Sequence, residues 1–376
     1  MAANGENQRE RMRERPRKGG KPMSKSFVNK ALLGGAVAAG AAVWAIAPRT
    51  FSDKRRNYVP SIPDVWYAHR GLHDAGSGLT AQYANESGEY VALARRMAMK
   101  AGYGSPSVTG AIAPENSLAA FAAACEAGYG IELDLQMTAD GEIVVVHDGD
   151  LMRVAGDPRR IADLTYDELT RIPLFPTDAP GAAVAAPLPG SLEKPPLVTT
   201  PDSALEGYFQ HVPLFADVLK VVAGRVPLIV EYKFDDNSKW GSRDVELMEK
   251  GDALLQAYSG AYVIESFNPA AVNWYKENRP EVCRGQLSWW PQGEEKPSDP
   301  AALAKEYAAG ALIFDWISRP DFVAYDWHGG NSPQVRLARF MGAVPVSWTV
   351  RSRDELAQCD DWFDHHIFEA FVPDEQ

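Results

Sequence analysis

From Val65 to the C-terminus, short apolar and β-branched runs alternate with helix-forming stretches, and this alternation constrains the fold more than any other feature of the chain. Predicted strands lead up to His69, Glu132, Glu231, Ser266, Gln286, Tyr325, Trp348 and Ile367. Helical stretches separate them, among them Phe215 to Val222, Asp244 to Tyr258, Pro269 to Asn278, Pro300 to Ala309 and Arg353 to Asp360. Strands that alternate with helices pair in parallel, since a parallel neighbour can be reached only by a long crossover. Eight such strands are what a closed (β/α)8 TIM barrel needs, so the fold class expected is α/β with that architecture. In such barrels the site lies at the C-terminal ends of the strands. The polar residues gather there: His69 with Arg70, Glu132 with Asp134, Glu231 with Lys233, and Trp348.

Within this pattern the stretch Gly130 to Asp148, GIELDLQMTADGEIVVVHD, carries the densest chemistry. Alternation along its first half places Glu132 and Asp134 on one face and Leu133 and Leu135 on the other. Asp140-Gly141 is a dipeptide favoured in tight hairpins, and the β-branched run that follows returns antiparallel to His147-Asp148. A hairpin return cannot be a ninth barrel strand, so this piece should be a small β-hairpin arm above the barrel. Two carboxylates facing an imidazole suit a hard, oxygen-preferring cation, Ca²⁺ or Mg²⁺. Carboxylates paired with Arg or Lys, or a solvated edge ribbon, are the bland alternatives.

The rest of the chain divides readily. Residues 1–30 are polar and basic and read as disordered; residues 31–48 are uncharged and apolar, of signal-peptide or minimal membrane-anchor length. Basic residues before Ala31 outnumber those just after the run, which orients a membrane-anchored or exported protein with its catalytic domain extracytoplasmic. Residues 49–64 read as a linker and 65–376 as the barrel, interrupted by insertions at 73–113 and 173–213. The first insertion holds one helical patch, with Tyr90, Leu93 and Met97 on one side and Arg95, Arg96 and Lys100 elsewhere, and should overhang the mouth. The second is crowded with Pro and Ala and reads as irregular surface chain.

A net charge of -12 argues against nucleic acid, which is bound through clustered Lys and Arg. Cys125, Cys283 and Cys359 lack metal-ligand spacing and read as buried small apolar residues, although one disulfide is not excluded by their number.

In order, the pattern AHRG, PENS, IELDLQ with a DG turn to VVHD, then LIVEYK, SFNP and SWTV resembles the glycerophosphodiester phosphodiesterase family. The resemblance runs from about Trp66 to the C-terminus. It implies a (β/α)8 barrel, one divalent cation at the mouth, and cleavage of glycerophosphodiesters to sn-glycerol 3-phosphate and an alcohol. Carried over, Glu132, Asp134 and Glu231 resemble the metal ligands, His69 and His147 the acid and base, and Arg70 and Lys233 the phosphate contacts. Glu115 would either support the site from behind or cap a helix start. Trp348 would either stack on the glycerol carbons or fill the barrel. Both insertions depart from the family pattern. Two other readings stay open: a related barrel phospholipase acting on choline- or inositol-bearing phospholipids, and a non-catalytic phospholipid-binding module. A glycoside hydrolase fits less well, because its two carboxylates flank the scissile bond rather than share one strand face.

Overall fold

The computed structural model describes residues 40–52, 60–176, 209–235, 239–291 and 297–374. Its strands, in chain order, are β1 (Tyr67–Ala68), β2 (Gly130–Met137), β3 (Ile143–Val145), β4 (Asp150–Leu151), β5 (Asp157–Arg160), β6 (Leu228–Tyr232), β7 (Tyr262–Ser266), β8 (Arg284–Ser288), β9 (Phe322–Asp326), β10 (Val344–Val350) and β11 (His365–Phe368). β1, β2 and β6 to β11 pair in parallel in that order, and β1 closes the ring through Tyr67↔Ile367 on β11 and Tyr67↔Gly130 on β2. This is the expected eight-stranded barrel. β3 pairs antiparallel with β2, Leu135 opposite Val145 and Met137 opposite Ile143, with Gly141 of the turn at φ +83°.

Period-two alternation sorts the strand residues between two apolar layers. Ile131, Leu133, Leu135, Leu228, Val230 and Tyr232 pack outward against the helices. Tyr67, Ile229, Val263, Leu287, Phe322, Val346 and Ile367 fill the lower barrel. Burying each of these large side chains stabilises the fold by about 1.5–3 kcal/mol. Glu132, Asp134 and Glu231 are out of phase with the outer layer and so point at the barrel axis.

Helix Leu118–Ala127 starts where Ser117 accepts a hydrogen bond from the Ala120 N–H and stops at Gly128, φ +83°. Its small residues let helix Ala84–Lys100 of the first insertion lie close against it. In that helix Tyr90, Ala94, Ala98 and Met99 are buried, and so is Arg95 at 1% exposure. Arg95 lies outside the stripe of Tyr90, Leu93 and Met97, yet it does not face water. Instead its guanidinium donates to Asp74 (2.6 Å) and to the carbonyls of Gly110 (2.9 Å) and Val108 (2.8 Å), while Asp74 also accepts the N–H groups of Ile112 and Ala113. A buried ion pair, with both Asp74 oxygens bonded and only the Arg95 Nε–H left without a partner among the described residues, thus clasps both ends of the insertion. Tyr83 donates to Glu355 and Glu86 accepts the Arg353 N–H, both on the helix Arg353–Cys359 that follows β10, so the insertion is tied to that side of the mouth.

Around the hairpin, Val144, Val146, Leu151, Val154, Ile161, Leu164, Leu169, Leu174, Phe175 and Val212 form their own apolar cluster. The arm is therefore the edge of a small packed unit. The ends of the second insertion, Leu174, Phe175 and Val212, are buried in it, whereas residues 177–208 lie outside the described residues, as do residues 1–39 with the basic terminus and the first half of the apolar run. No helix among the described residues is long and apolar enough to cross a membrane. Ala45, Ile46 and Ala47 are buried, and Arg49 donates its N–H to the Pro320 carbonyl (3.0 Å) and its guanidinium to Asp321 (3.4 Å), at the N-terminal ends of the strands. The three cysteines are free.

Candidate active site

The mouth begins at a strained corner. Just past β1, Arg70 adopts φ +57° and Asn116 φ +54°, a left-handed conformation that costs a non-glycine residue on the order of 1 kcal/mol. The two are locked by a hydrogen bond from the Asn116 N–H to the Arg70 carbonyl (2.9 Å). The corner turns the Arg70 N–H onto Glu132 Oε2 (3.0 Å) and brings the Asn116 amide to Asp134 Oδ2 (2.8 Å). The backbone thus aims two β2 carboxylates before any ligand arrives.

Register does the rest. Asp134 lies beside Glu231 across β2 and β6, and Glu231 beside Glu265 across β6 and β7. Oxygens of Glu132, Asp134 and Glu231 all come within 4.8 Å of one another, in three buried residues. Lys233 Nζ sits between two of them, 2.8 Å from Glu231 Oε2 and 3.3 Å from Asp134 Oδ1, and Arg70 Nε is 3.6 Å from Asp134. Burial, then the charges of Asp134, Glu231 and Glu265, push the Glu132 carboxyl well above its usual range. Burial likewise lifts Glu231 to about 7 against the pull of Lys233, and Glu265 well above normal. Burial opposes ionisation of Asp134 too, but Lys233, His147 and Arg70 hold it well below the usual carboxylate range.

That imbalance tests the cation expected here. Four buried carboxylates face Arg70 and Lys233, leaving an excess of two negative charges, and Glu231 Oε1 and Glu265 Oε2 have no hydrogen-bond partner among the described residues. Oxygen ligands, hardness and charge all fit one divalent ion.

The two histidines are held differently. His69 Nδ1 lies 2.8 Å from Glu369 Oε2, at the end of β11, which leaves Nε2 on the cavity side, 3.9 Å from Glu132. Burial lowers its pKa to about 4 despite Glu369. Arg351 (2.6 Å) and Ser77 (2.9 Å) donate to the same carboxylate. His147 follows β3, its Nδ1 2.6 Å from Asp148 Oδ1, and its pKa is lowered by burial and by Arg70 and Lys233. Its loop is pinned by the Gln136 amide, which converges on the carbonyls of Val146 (2.9 Å), His147 (3.0 Å) and Asp148 (2.8 Å).

Glu115 is not the helix cap, a role Ser117 takes. It is 2% exposed and accepts from Arg70 (2.8 Å), twice from Arg153 (2.9 and 2.6 Å) and from the Ser77 N–H (2.6 Å), so it braces Arg70 from behind. Trp348 meets Phe267 edge-on at 5.5 Å and Trp289 at 6.2 Å, forming an apolar wall opposite the carboxylates; it lines the cavity and packs on the barrel core at once. His69, Arg70, Glu132, His147, Glu231, Lys233 and Trp348 border one cavity of about 100 Å³, and Asp134 touches it through Lys233.

Sequence reasoning missed Glu265, Glu369, Asn116, Gln136, Arg153 and Arg351. Glu265 and Glu369 sit at the C-terminal ends of β7 and β11, a position that alone would have marked them. His73 is fully buried with Nε2 3.5 Å from Glu369 Oε2 and its ring edge-on to Tyr90 at 5.5 Å.

Comparison with known proteins agrees with this geometry. The chain is 43% identical over 60 residues to the glycerophosphodiester phosphodiesterase of Caldanaerobacter subterraneus, a match covering 16% of this chain and 25% of that protein. It is 46% identical over 59 residues to that of Bacillus altitudinis, covering 15% and 24%. It thus spans about a quarter of the length of these relatives. A crystal structure from Silicibacter pomeroyi, of a provisionally named glycerophosphoryl diester phosphodiesterase, superimposes with a TM-score of 0.53 at 20% identity over 83% of this chain and 92% of that one, which shows a shared fold. Residues 108–368, more than half of the chain, match the model of the glycerophosphoryl diester phosphodiesterase family, and the chain belongs to that family.

Proposed function

We propose that this protein is a phosphoric diester hydrolase that cleaves glycerophosphodiesters to sn-glycerol 3-phosphate and an alcohol with the help of one divalent cation. The observation that carries the reading is the buried triad Glu132, Asp134 and Glu231, its oxygens within 4.8 Å of one another, facing two histidines and two cations in a chain of this family. Glu132, Asp134 and Glu231 would hold Ca²⁺ or Mg²⁺, which would supply Lewis-acid chemistry to the phosphoryl group. Arg70 and Lys233 hold the anionic diester, Arg70 kept in place by Glu115. Charge that builds on the phosphoryl oxygens then meets donors already aimed, in a cavity lined on one side by Trp348 and Phe267.

Proton transfer falls to His69 and His147. Each has Nδ1 against a carboxylate, Glu369 or Asp148, which fixes the tautomer with Nδ1 protonated and leaves Nε2 for the reaction. One takes the proton of the attacking 2-hydroxyl of the glycerol and the other supplies the proton of the departing alkoxide; water then opens the resulting cyclic phosphodiester to glycerol 3-phosphate with the two roles exchanged. The run at 31–48 anchors the chain in a membrane, or exports it, with the barrel on the extracytoplasmic side; the basic flank before Ala31 supports that orientation.

The test is a coupled glycerol 3-phosphate assay on several glycerophosphodiesters with Ca²⁺ or Mg²⁺. His69→Ala and His147→Ala should each lower kcat by about 10²–10⁴. Full turnover in chelator would end the cation reading, and no glycerol 3-phosphate from any diester would end the substrate reading.

A further inference from the structure

The end of the barrel away from the mouth carries a cluster of large apolar side chains that nothing in the catalytic reading uses. Trp44 is 57% exposed, Phe51 60%, Trp316 44% and Phe340 88%. They come from chain segments that meet at the N-terminal ends of β9 and β10. Trp44 stacks on Trp316 with ring centroids 5.7 Å apart and lies under the Arg319 guanidinium at 4.9 Å, which donates to the carbonyls of Trp44 and Ala47, both at 2.7 Å. One residue from Phe51, Thr50 donates to the carbonyl of Gly342 (2.9 Å), two residues past Phe340. Single exposed apolar residues are normal on a protein surface. Several gathered at one end, two indoles in contact and the backbone beside them held by an arginine, mark a contact surface.

The chain itself says what covers it. The last residues of the uncharged run 31–48 belong to the barrel base, with Ala45, Ile46 and Ala47 buried. Where an apolar anchor meets its folded domain, the surrounding medium is the bilayer interface, the depth at which tryptophan is enriched. We infer that the face formed by Trp44, Phe51, Trp316 and Phe340 is a lipid-contacting surface that seats the base of the barrel on a membrane. Its lipid occupant rests on the anchor reading of residues 31–48 given above.

Charge sets the tilt. At the same end, on the β11 and β1 side, the side chains of Asp64, Asp360 and Asp364 are 84%, 68% and 41% exposed. Carboxylates keep to water, so the β9 and β10 side sits deeper. The mouth, at the opposite ends of the strands, then opens away from the bilayer. Substrate reaches it from solution, as a deacylated, water-soluble diester, and not as a phospholipid of the membrane that holds the protein.

The experiment uses the full chain on phosphatidylcholine vesicles. An environment-sensitive fluorophore is attached at Phe340→Cys, at the base, or at Trp290→Cys, near the mouth, with the wild-type chain labelled in parallel to correct for Cys125 and Cys283. Vesicles with brominated acyl chains should quench the probe at 340 about twofold or more, the effect of seating it in the headgroup and acyl boundary, and leave the probe at 290 unchanged. Trp316→Ser with Phe340→Ser should leave turnover of a soluble diester unchanged. If the chain floats with vesicles but the probe at 340 is not quenched, or the probe at 290 is quenched instead, the face is overturned and the anchor stands. If the chain does not float, the anchor and the face fall together, whatever the diester assay reports.

Discussion

Replacing Glu231 by Gln should stabilise the protein without a divalent cation and destabilise it with one. Glu231 is 6% exposed, keeps one oxygen without a hydrogen bond, and shares its space with Asp134, Glu132 and Glu265. Burial first, then like charge, lifts its carboxyl from the ordinary 4.5 to about 7. A folded value above the unfolded one means that the native state keeps a proton the unfolded chain has released. The stability linked to that proton is fully present below about pH 4.5 and is lost as pH rises through about 7. Each tenfold change in proton affinity is worth about 1.4 kcal/mol, so ionising Glu231 at pH 8 without a cation costs roughly 3 kcal/mol. Glu231→Gln removes that cost and keeps the shape, while Lys233 retains Asp134. At about 2 °C per kcal/mol for a large domain, the variant should melt roughly 6 °C above wild type in chelator at pH 8, and level with it near pH 4.5. Added Ca²⁺ or Mg²⁺ reverses the order once it reaches about 1,000 times its Kd, where it stabilises the wild type by about 4.1 kcal/mol, more than the ionisation cost, while the variant has lost a binding oxygen. Differential scanning fluorimetry across pH, with and without chelator, reads both signs. A variant that melts below wild type in chelator at pH 8, with a gap insensitive to pH and to metal, would refute the argument.

Arg95→Met should cost about 3–5 kcal/mol in urea unfolding, because it leaves buried Asp74 without its charge partner and strands the carbonyls of Val108 and Gly110; a loss under 1 kcal/mol would show that the insertion is not clasped there. Asp315 is 1% exposed with neither oxygen bonded among the described residues, and burial holds its carboxyl well above the usual range in spite of Arg319. Its contribution is present below an unfolded pKa near 3.9 and lost as pH rises, so Asp315→Asn should raise Tm at pH 7 and change it little at pH 4, and the opposite trend would count against this reading. A glycerophosphodiester analogue lacking the 2-hydroxyl should bind as an inhibitor and not turn over, because a hydroxyl held beside phosphorus is the nucleophile best placed for attack; turnover near the natural rate would point to direct attack by water.

Barrel, hairpin arm and most of the site were legible in the sequence, because each is written in a local period. Alternation alone put Glu132 and Asp134 on the face opposite Leu133 and Leu135, and the packed strand kept that division. The hairpin dipeptide and β-branched return likewise specified an antiparallel β3 without reference to the rest of the chain. What the tertiary structure alone decided are pairings between distant positions. His69 finds Glu369 across 300 residues, Arg70 finds Glu115 across 45, and Arg95 turns inward only because Asp74 waits there. A helix period can say which side of Ala84–Lys100 is apolar, but not that a charged side chain on another side will be covered and paired. Proton affinities belong to the same class. Nothing local distinguishes the carboxyl of Glu231 from that of Asp134; barrel closure places Lys233, Arg70 and Asn116 around Asp134 and leaves one Glu231 oxygen bare, and burial then drives the two carboxyls in opposite directions.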